Sequence, residues 1–108
     1  MTAKQLAREL ELTVLTNGGD DKEVDGCYIC DLLSYVMSHA SKGNVWITVQ
    51  TNINVVAVAS LTEVSCVIIP ENIEVEDITL KKAAAENITF FSSPHTAYEL
   101  AGKLSEII

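Results

Sequence analysis

Apolar residues recur along this chain with two periods, every second residue in some blocks and every three to four residues in others. The first period is typical of strands and the second of amphipathic helices. In order along the chain, the blocks predict helices over 3–10, 31–40, 53–59, 77–87 and 93–104, and strands over 11–16, 24–29, 45–49, 66–69 and 89–91. Strands that alternate with helical crossovers predict an α/β fold, a three-layer α/β/α single domain over 1–108 with a mostly parallel sheet.

The stretch Trp46–Ala59, with the sequence WITVQTNINVVAVA, decides the predicted topology. Its first strand, Val45–Val49, is apolar on both sides, as strands covered on two faces are, and we predict it as the central strand. The β-branched run 53–59 has the propensity of a strand. It lies between two strong strands, however, where a parallel sheet requires a crossover, and Asn52 can cap a helix there. We therefore predict a helix for this run.

Capping residues predict where three other helices begin. Thr2 and Gln5 have the spacing of a capping box before the first helix. Asp31 precedes an apolar stripe and is predicted to cap the second helix, whose inner face would carry Leu32, Leu33, Val36, Met37 and Ala40. Ser93 followed by Pro94 predicts the start of the last helix, whose inner stripe would be Ala97, Leu100, Ala101 and Leu104.

Composition and charge narrow the classes of partner and location. Apolar residues make up 48% of the chain, enough for a full core. Seven Lys and Arg against fifteen Asp and Glu give a net charge of -8, so the electrostatic field opposes nucleic acid and anionic membranes, and neither is expected as a partner. The first ten residues have spaced charges and no continuous apolar core, so a secretory signal is not predicted and a cytoplasmic location is expected.

Three segments together resemble the DRTGG-domain family: KEVDGCYICDLLSYVM (22–37), WITVQTNINVVAVASL (46–61) and FFSSPHTAYELAGKL (90–104). This small α/β domain is similar to the N-terminal domain of HPr kinase/phosphorylase, and the resemblance implies the fold of the MurF and HPr kinase N-terminal domains. The name-giving motif is absent here. The match is instead to small stand-alone members with a DLLS-type helix start, at 31–34, and a polar turn, at 50–54. The resemblance implies a regulatory role.

The polar turn between the two apolar runs is the first candidate binding site. In open α/β sheets, ligands bind beyond the carboxyl ends of the strands, where a following helix offers unpaired amide groups, and a small anion would suit such a position. The simpler alternative is that Asn52 caps its helix while its neighbours close a turn. The residues predicted to contact a ligand here are Gln50, Thr51, Asn52 and Asn54.

Asp31 and Ser34 form a second candidate, because a carboxylate one turn from a hydroxyl can hold a ligand hydroxyl or a partner's amide group. The alternative is that Asp31 is an ordinary helix cap. If the strands that end at Cys30 and Val49 are neighbours in the sheet, both candidates share one rim. The adjacency of these two strands is a hypothesis based on the sequence alone.

Cys27 and Cys30 form a Cys-x-x-Cys pair at a strand-to-helix junction, where thiols can gain redox or metal-binding character. A strand over 24–29 would direct their side chains to different faces, and buried apolar cysteines are the favoured interpretation. Three cysteines without a signal sequence are expected to stay reduced.

Two classes of function follow from these patterns. The preferred one is a non-catalytic regulatory module that binds a small phosphorylated metabolite, a nucleotide or a protein partner at the 31–34 and 50–54 rim. The alternative is an assembly domain, a homodimer or an adaptor for a metabolic enzyme, indicated by the apolar excess of Phe90, Phe91, Tyr98 and the run 53–58. The chain contains no P-loop pattern, so kinase activity is not expected, and neither is a cofactor.

Overall fold

The computed structural model describes residues 1–108 and contains five helices and five strands in the predicted order. The helices are α1 (Ala3–Glu9), α2 (Leu33–His39), α3 (Asn54–Thr62), α4 (Asp77–Ala85) and α5 (Ala97–Ile107). The strands are β1 (Thr13–Thr16), β2 (Cys27–Ile29), β3 (Val45–Ile47), β4 (Cys66–Ile69) and β5 (Phe90–Ser92). Strands β1 and β2 are shorter than predicted because Glu11 (φ 54°) and Gly26 (φ 79°) adopt left-handed conformations that interrupt the extended chain before each of them.

The five strands form one sheet in the order β1-β5-β4-β3-β2. Neighbours from β2 to β5 run parallel, and β1 pairs antiparallel with β5, so the predicted mostly parallel sheet is confirmed. The prediction that 45–49 is the central strand is wrong, because β4 occupies the middle of the sheet. The crossovers through α2, α3 and α4 each add the next strand on the same side, so β3 lies one strand from the β2 edge.

Alternation along the strands builds the two cores of a three-layer sandwich. In β3, Trp46 packs towards α2, α3 and α4, whereas Val45 and Ile47 pack towards α1 and α5. Strand β4 divides in the same way, with Cys66 and Ile68 on the second face. All of these side chains are fully buried, which explains why the two strands are apolar at every position.

The β-branched run after β3 forms α3, as predicted from its place between two parallel strands. Val55, Val56 and Val58 are buried in the core between α3 and the sheet. Tertiary packing and the need for a crossover therefore outweigh local strand propensity. The longest helix in the structure, α5, has 11 residues, well short of the ~20 apolar residues that cross a bilayer.

The first helix start is confirmed, and two others need correction. Thr2 and Gln5 form the predicted capping box of α1. Helix α2 begins at Leu33 without a side-chain cap, because the Asp31 carboxylate bonds to the next strand instead. Helix α5 begins at Ala97, not at Ser93. Its capping box is made by Thr96 and Glu99, while the Ser93 hydroxyl accepts a hydrogen bond from the His95 N–H in the preceding turn.

The predicted inner stripe of α2 is too broad. Val36 is fully buried, but Leu32 and Met37 are 57% and 53% exposed. The reason is that β2 is a three-residue edge strand, so the sheet beneath α2 covers only a narrow part of the helix. Of the predicted stripe of α5, Leu100 and Leu104 are buried, and Ala97 and Ala101 are half-buried.

Candidate functional site

The ends of β2 and β3 lie side by side, which brings the two candidate segments together. Ile29 pairs with Ile47 in parallel register, and the Cys30 N–H donates to the Ile47 carbonyl at 3.3 Å. The chain leaving β2 therefore meets the turn that follows β3. Residues 31–34 and 48–54 form one edge of the molecule, called the rim below.

The Asp31 carboxylate cross-links the two halves of the rim. Its Oδ1 atom accepts a hydrogen bond from the Thr48 hydroxyl at 2.9 Å and another from the Val49 N–H at 2.9 Å. The carboxylate thus satisfies a buried hydroxyl and a strand-end amide group. Sequence reasoning missed Thr48, although a single hydroxyl inside the apolar run VWITV was a signal that a polar partner lay nearby.

The amide side chains of the turn are used mainly within the turn. Gln50 Nε2 donates to the Asp31 carbonyl at 3.0 Å, and Gln50 Oε1 accepts from Asn52 Nδ2 at 3.2 Å. Asn52 Oδ1 accepts from the Asn54 N–H at 2.9 Å within the turn. The prediction that Asn52 is the N-cap is wrong, because α3 begins at Asn54, its N-cap position is Ile53, and no side chain caps it. The Thr51 carbonyl accepts from the buried Thr79 hydroxyl of α4 at 2.8 Å, a contact that the sequence did not indicate.

Four polar side-chain groups of the rim have no hydrogen-bond partner within the chain: Asp31 Oδ2, the Ser34 hydroxyl, the Thr51 hydroxyl and the Asn54 side-chain amide. Asp31, Ser34 and Asn54 are exposed. A carboxylate oxygen at this position accepts from N–H and O–H donors and repels phosphate. The rim is therefore chemically suited to hydrogen-bond donors rather than to the small anion expected from the sequence.

No cavity opens at the rim. None of the five cavities of the molecule is lined by a residue of 31–34 or 48–54. Small-molecule sites are usually concave and enclose most of their ligand. The rim is thus a surface on which a partner can lie, and its polar groups are already aligned by their own hydrogen bonds.

The cysteines lie apart on the two faces of the sheet. Cys27 packs towards α1 and α5, and Cys30 packs towards the opposite core. Burial raises the pKa of the Cys27 thiol to about 11 and that of the buried Cys66 thiol to about 12. Both thiols are therefore protonated at neutral pH, and the divergent side chains predicted from the strand are observed. No group of three or more His, Cys, Asp or Glu side chains is arranged to hold a metal ion.

The family model of the DRTGG domain matches residues 5–107 of this chain. Among solved structures, the CBS and DRTGG domains of the regulatory region of Clostridium perfringens pyrophosphatase, crystallised with the activator diadenosine tetraphosphate, are similar in fold. The TM-score is 0.73 at 14% sequence identity, over 95% of this chain and 45% of that one. The chain thus spans less than half of that regulatory region. No curated protein matches in sequence.

Proposed function

The chain belongs to the DRTGG domain family, and on this premise we propose that it is a non-catalytic regulatory module that acts by binding. A nucleotide is supported as its small ligand by the pyrophosphatase regulatory region of similar fold, which was crystallised with diadenosine tetraphosphate as activator. The rim is the proposed recognition surface for a larger partner. Its recognition residues are Asp31, Ser34, Gln50, Thr51, Asn52 and Asn54.

The rim proposal rests on the observation that the rim and its surroundings carry almost no charged side chains, although the protein as a whole is acidic. Of the seven Lys and Arg and fifteen Asp and Glu side chains, only Asp31 and Lys42 lie in the segment 26–62. Within the rim itself, three large apolar side chains, Leu32, Val49 and Ile53, are exposed. Apolar surface that is concentrated and nearly free of charge is typical of an interaction surface.

The proposed occupant of this surface is a second copy of the chain. Two molecules of charge -8 repel each other, so their association is least opposed where a charge-poor face meets its own copy. The outward acceptors Asp31 Oδ2 and Asn54 Oδ1 can then take hydrogen bonds from the partner copy's Asn54 amide or Ser34 hydroxyl at the margin of the apolar contact. Regulation would then result from dimerisation, which brings together two modules and any protein that is linked to them.

Sedimentation equilibrium of the wild type and of Leu32→Glu tests this proposal. Leu32 is 57% exposed and directly precedes α2, where a carboxylate is favourable to the helix, so the substitution should not impair folding. In a symmetric interface it places two charges close together, and we expect self-association to weaken by about tenfold or more.

The matched control is Tyr98→Glu, which puts the same charge on an 87% exposed apolar residue in the first turn of α5. This variant should associate like the wild type. A wild-type chain that remains monomeric at millimolar concentration, or equal effects of the two substitutions, would contradict the proposed surface.

A second candidate for the rim is a nucleotide contacted through its sugar hydroxyls or base N–H groups. The unpartnered acceptors favour it, since a carboxylate oxygen commonly accepts from ribose hydroxyls. Asn54→Ala removes an exposed amide that bonds to nothing in the chain, so it should weaken nucleotide binding in calorimetry without changing thermal stability. Unchanged affinity in this variant would exclude the nucleotide from the rim.

A further inference from the structure

The largest cavity of the molecule, about 480 Å³, lies away from the rim, between α1 and the edge strand β1. Its volume falls within the range of about 300–1,000 Å³ that is usual for small-molecule sites. The apolar part of its lining consists of Ala3, Ala7, Leu12, Val14 and Phe91. Polar and charged groups border this apolar lining, so the cavity has the composition expected of a ligand site.

The loop 17–21 forms one wall of the cavity and is held in place by hydrogen bonds. The Gly18 N–H donates to the Thr89 hydroxyl at 2.8 Å, and the Lys4 N–H donates to Asp21 Oδ1 at 2.9 Å. A side chain at Gly18 would approach the Asn87 carbonyl oxygen to 2.6 Å, so this position requires glycine for close contact. The loop is therefore anchored at both ends, and the cavity is preformed.

Two cations lie on the helix side of the cavity. Lys4 and Arg8 are one turn apart on α1, and Arg8 is the only arginine of the chain. Neither the Lys4 ammonium nor the Arg8 guanidinium forms an ion pair within the chain. Arginine binds phosphate and carboxylate groups through two parallel hydrogen bonds, so an unpaired guanidinium beside a cavity is a natural anion contact.

Three carboxylates, those of Glu11, Asp20 and Asp21, line the same cavity as the two cations, so the cationic edge is local to Lys4 and Arg8. Burial alone would raise the pKa of Asp21, but the Lys4 N–H, the Thr2 side chain and the charges of Lys4 and Arg8 together hold it below its usual value. Asp21 is therefore ionised and already engaged by α1. Carboxylates outside the cavity are screened beyond about 8 Å at physiological salt, so the five charged groups of the lining dominate its electrostatics.

The other cavities lack this combination of groups. The cavity of about 460 Å³ near β1 and α4 is lined by Glu74 and Asp77 but by no cation. The cavity of about 420 Å³ at the opposite end of the sheet has Lys22 and Lys42 but no apolar residue. An apolar lining together with two unpaired cations occurs at the α1–β1 cavity alone.

We propose that the α1–β1 cavity binds a small anionic ligand with a ring body, of the size and type of a nucleoside monophosphate. Arg8 and Lys4 contact its phosphate, and Leu12 and Val14 pack against its ring. The carboxylates of Asp20 and Asp21 accept hydrogen bonds from its hydroxyl groups. The inference goes beyond the rim and rests on the proposed regulatory function only for the nucleotide character of the ligand.

Residue-resolved NMR with adenosine monophosphate as the probe tests this inference. We expect the amide signals of 4–8 and 17–21 to shift at millimolar nucleotide, and those of the rim to remain unchanged. Arg8→Gln should weaken binding by about tenfold or more, the loss expected for charge-assisted hydrogen bonds. Lys81→Gln, which removes an exposed charge on α4 outside the cavity, should bind like the wild type.

Two further probes separate the parts of the site. Inorganic phosphate and adenosine, each carrying half of the proposed ligand, should bind at least about tenfold more weakly than the nucleotide. Val14→Trp should fill the cavity without changing its charge and abolish binding, and its exposed position on β1 should accept the larger side chain.

Equal affinity in Arg8→Gln and Lys81→Gln, or no shift at all in the wild type, would overturn the cavity proposal. Shifts confined to the rim would overturn it as well and would favour the second candidate for the rim. The variant Leu32→Glu should still bind the nucleotide when its self-association is lost. A failure of the cavity proposal is therefore distinguishable from a failure of the rim proposal.

Discussion

The rim and the α1–β1 cavity differ in almost every property that governs binding. Strand β3, at the rim, lies three strand spacings, roughly 14 Å, from β1 at the cavity. The rim is almost free of charge, and most of its polar groups bond to one another. The cavity is bordered by charges, and neither of its two cations, Lys4 and Arg8, forms an ion pair within the chain. Polar groups that already hydrogen-bond to one another make a rigid surface on which a large partner can bind. Unpaired charges beside a cavity favour a small ligand.

The largest stability effect is expected at the rim. Asp31→Ala removes the acceptor of the Thr48 hydroxyl and the Val49 N–H and should lower the free energy of unfolding by about 2–3 kcal/mol, because bonds to a charged group are stronger than average. Urea unfolding measures this loss. Asp25→Ala, an exposed aspartate whose carboxylate bonds to nothing, is the control and should stay within about 0.5 kcal/mol of the wild type. Equal losses in both variants would contradict the cross-linking role of Asp31.

At the cavity, Gly18→Ala should be the most costly change. The added methyl group meets the Asn87 carbonyl oxygen at 2.6 Å, so the loop must shift, and we expect a loss of about 1–3 kcal/mol together with weaker nucleotide binding. Gly102→Ala is the matched control, since nothing lies within 4 Å of its added atom. It lies within α5 and should stabilise the protein by about 0.5–1 kcal/mol. A Gly18→Ala variant as stable as the wild type would show that the close approach at Gly18 is not needed.

The half-buried Cys27 thiol and the buried Cys66 thiol should make the free energy of unfolding depend on pH, and neither belongs to the rim or the cavity. Burial raises the pKa of Cys27 to about 11 and that of Cys66 to about 12. Because the folded values exceed the ordinary thiol value, the stability that these groups contribute is fully present below about pH 8.5 and is lost as the pH rises through the folded values.

Urea unfolding between neutral and alkaline pH measures this loss. The decline should be smaller in Cys66→Val than in the wild type, and the native thiols should react slowly with a thiol reagent at neutral pH. Fast labelling of Cys27 in the native protein would contradict this account and would reopen a redox role for the Cys27–Cys30 pair.

The smallest effect is expected for Asp21 at the cavity wall. Its lowered pKa means that it contributes stability above about pH 4, and that this contribution is lost as the pH falls through the folded value. Asp21 is almost fully exposed, so solvent screening limits the effect of Asp21→Asn to at most about 0.5 kcal/mol in urea unfolding at neutral pH. A loss several times larger would mean that the loop depends on this charge more than its exposure allows.

Much of the fold follows from local patterns in the sequence, as α3 illustrates. Its valines favour a strand locally, but their position between β3 and β4 requires a crossover, and the helix was predicted correctly on that ground. Position in the sheet was harder to predict, because the order of strands depends on the side to which each crossover turns. For that reason the strand predicted to be central lies next to the β2 edge.

The adjacency of 31–34 and 50–54 was predicted, but the contacts between them were not. Asp31 was predicted as a helix cap because capping is a local pattern, whereas its actual partners, Thr48 and Val49, are 17 and 18 residues away. The α1–β1 cavity escaped prediction because its walls come from both ends of the chain, and Arg8 and Phe91 meet only through the antiparallel pairing of β1 with β5. Interactions between residues distant in sequence therefore could not be predicted from local sequence patterns.

A dilution series followed by residue-resolved NMR tests the central claim most directly, because it reports which surface is covered when two copies associate. As the protein is diluted, the amide signals of 31–34 and 48–54 should shift together, and those of 4–8 and 17–21 should stay fixed. Signals that move at α1 and β1 while the rim remains constant, or spectra independent of concentration at a monomeric sedimentation mass, would contradict it.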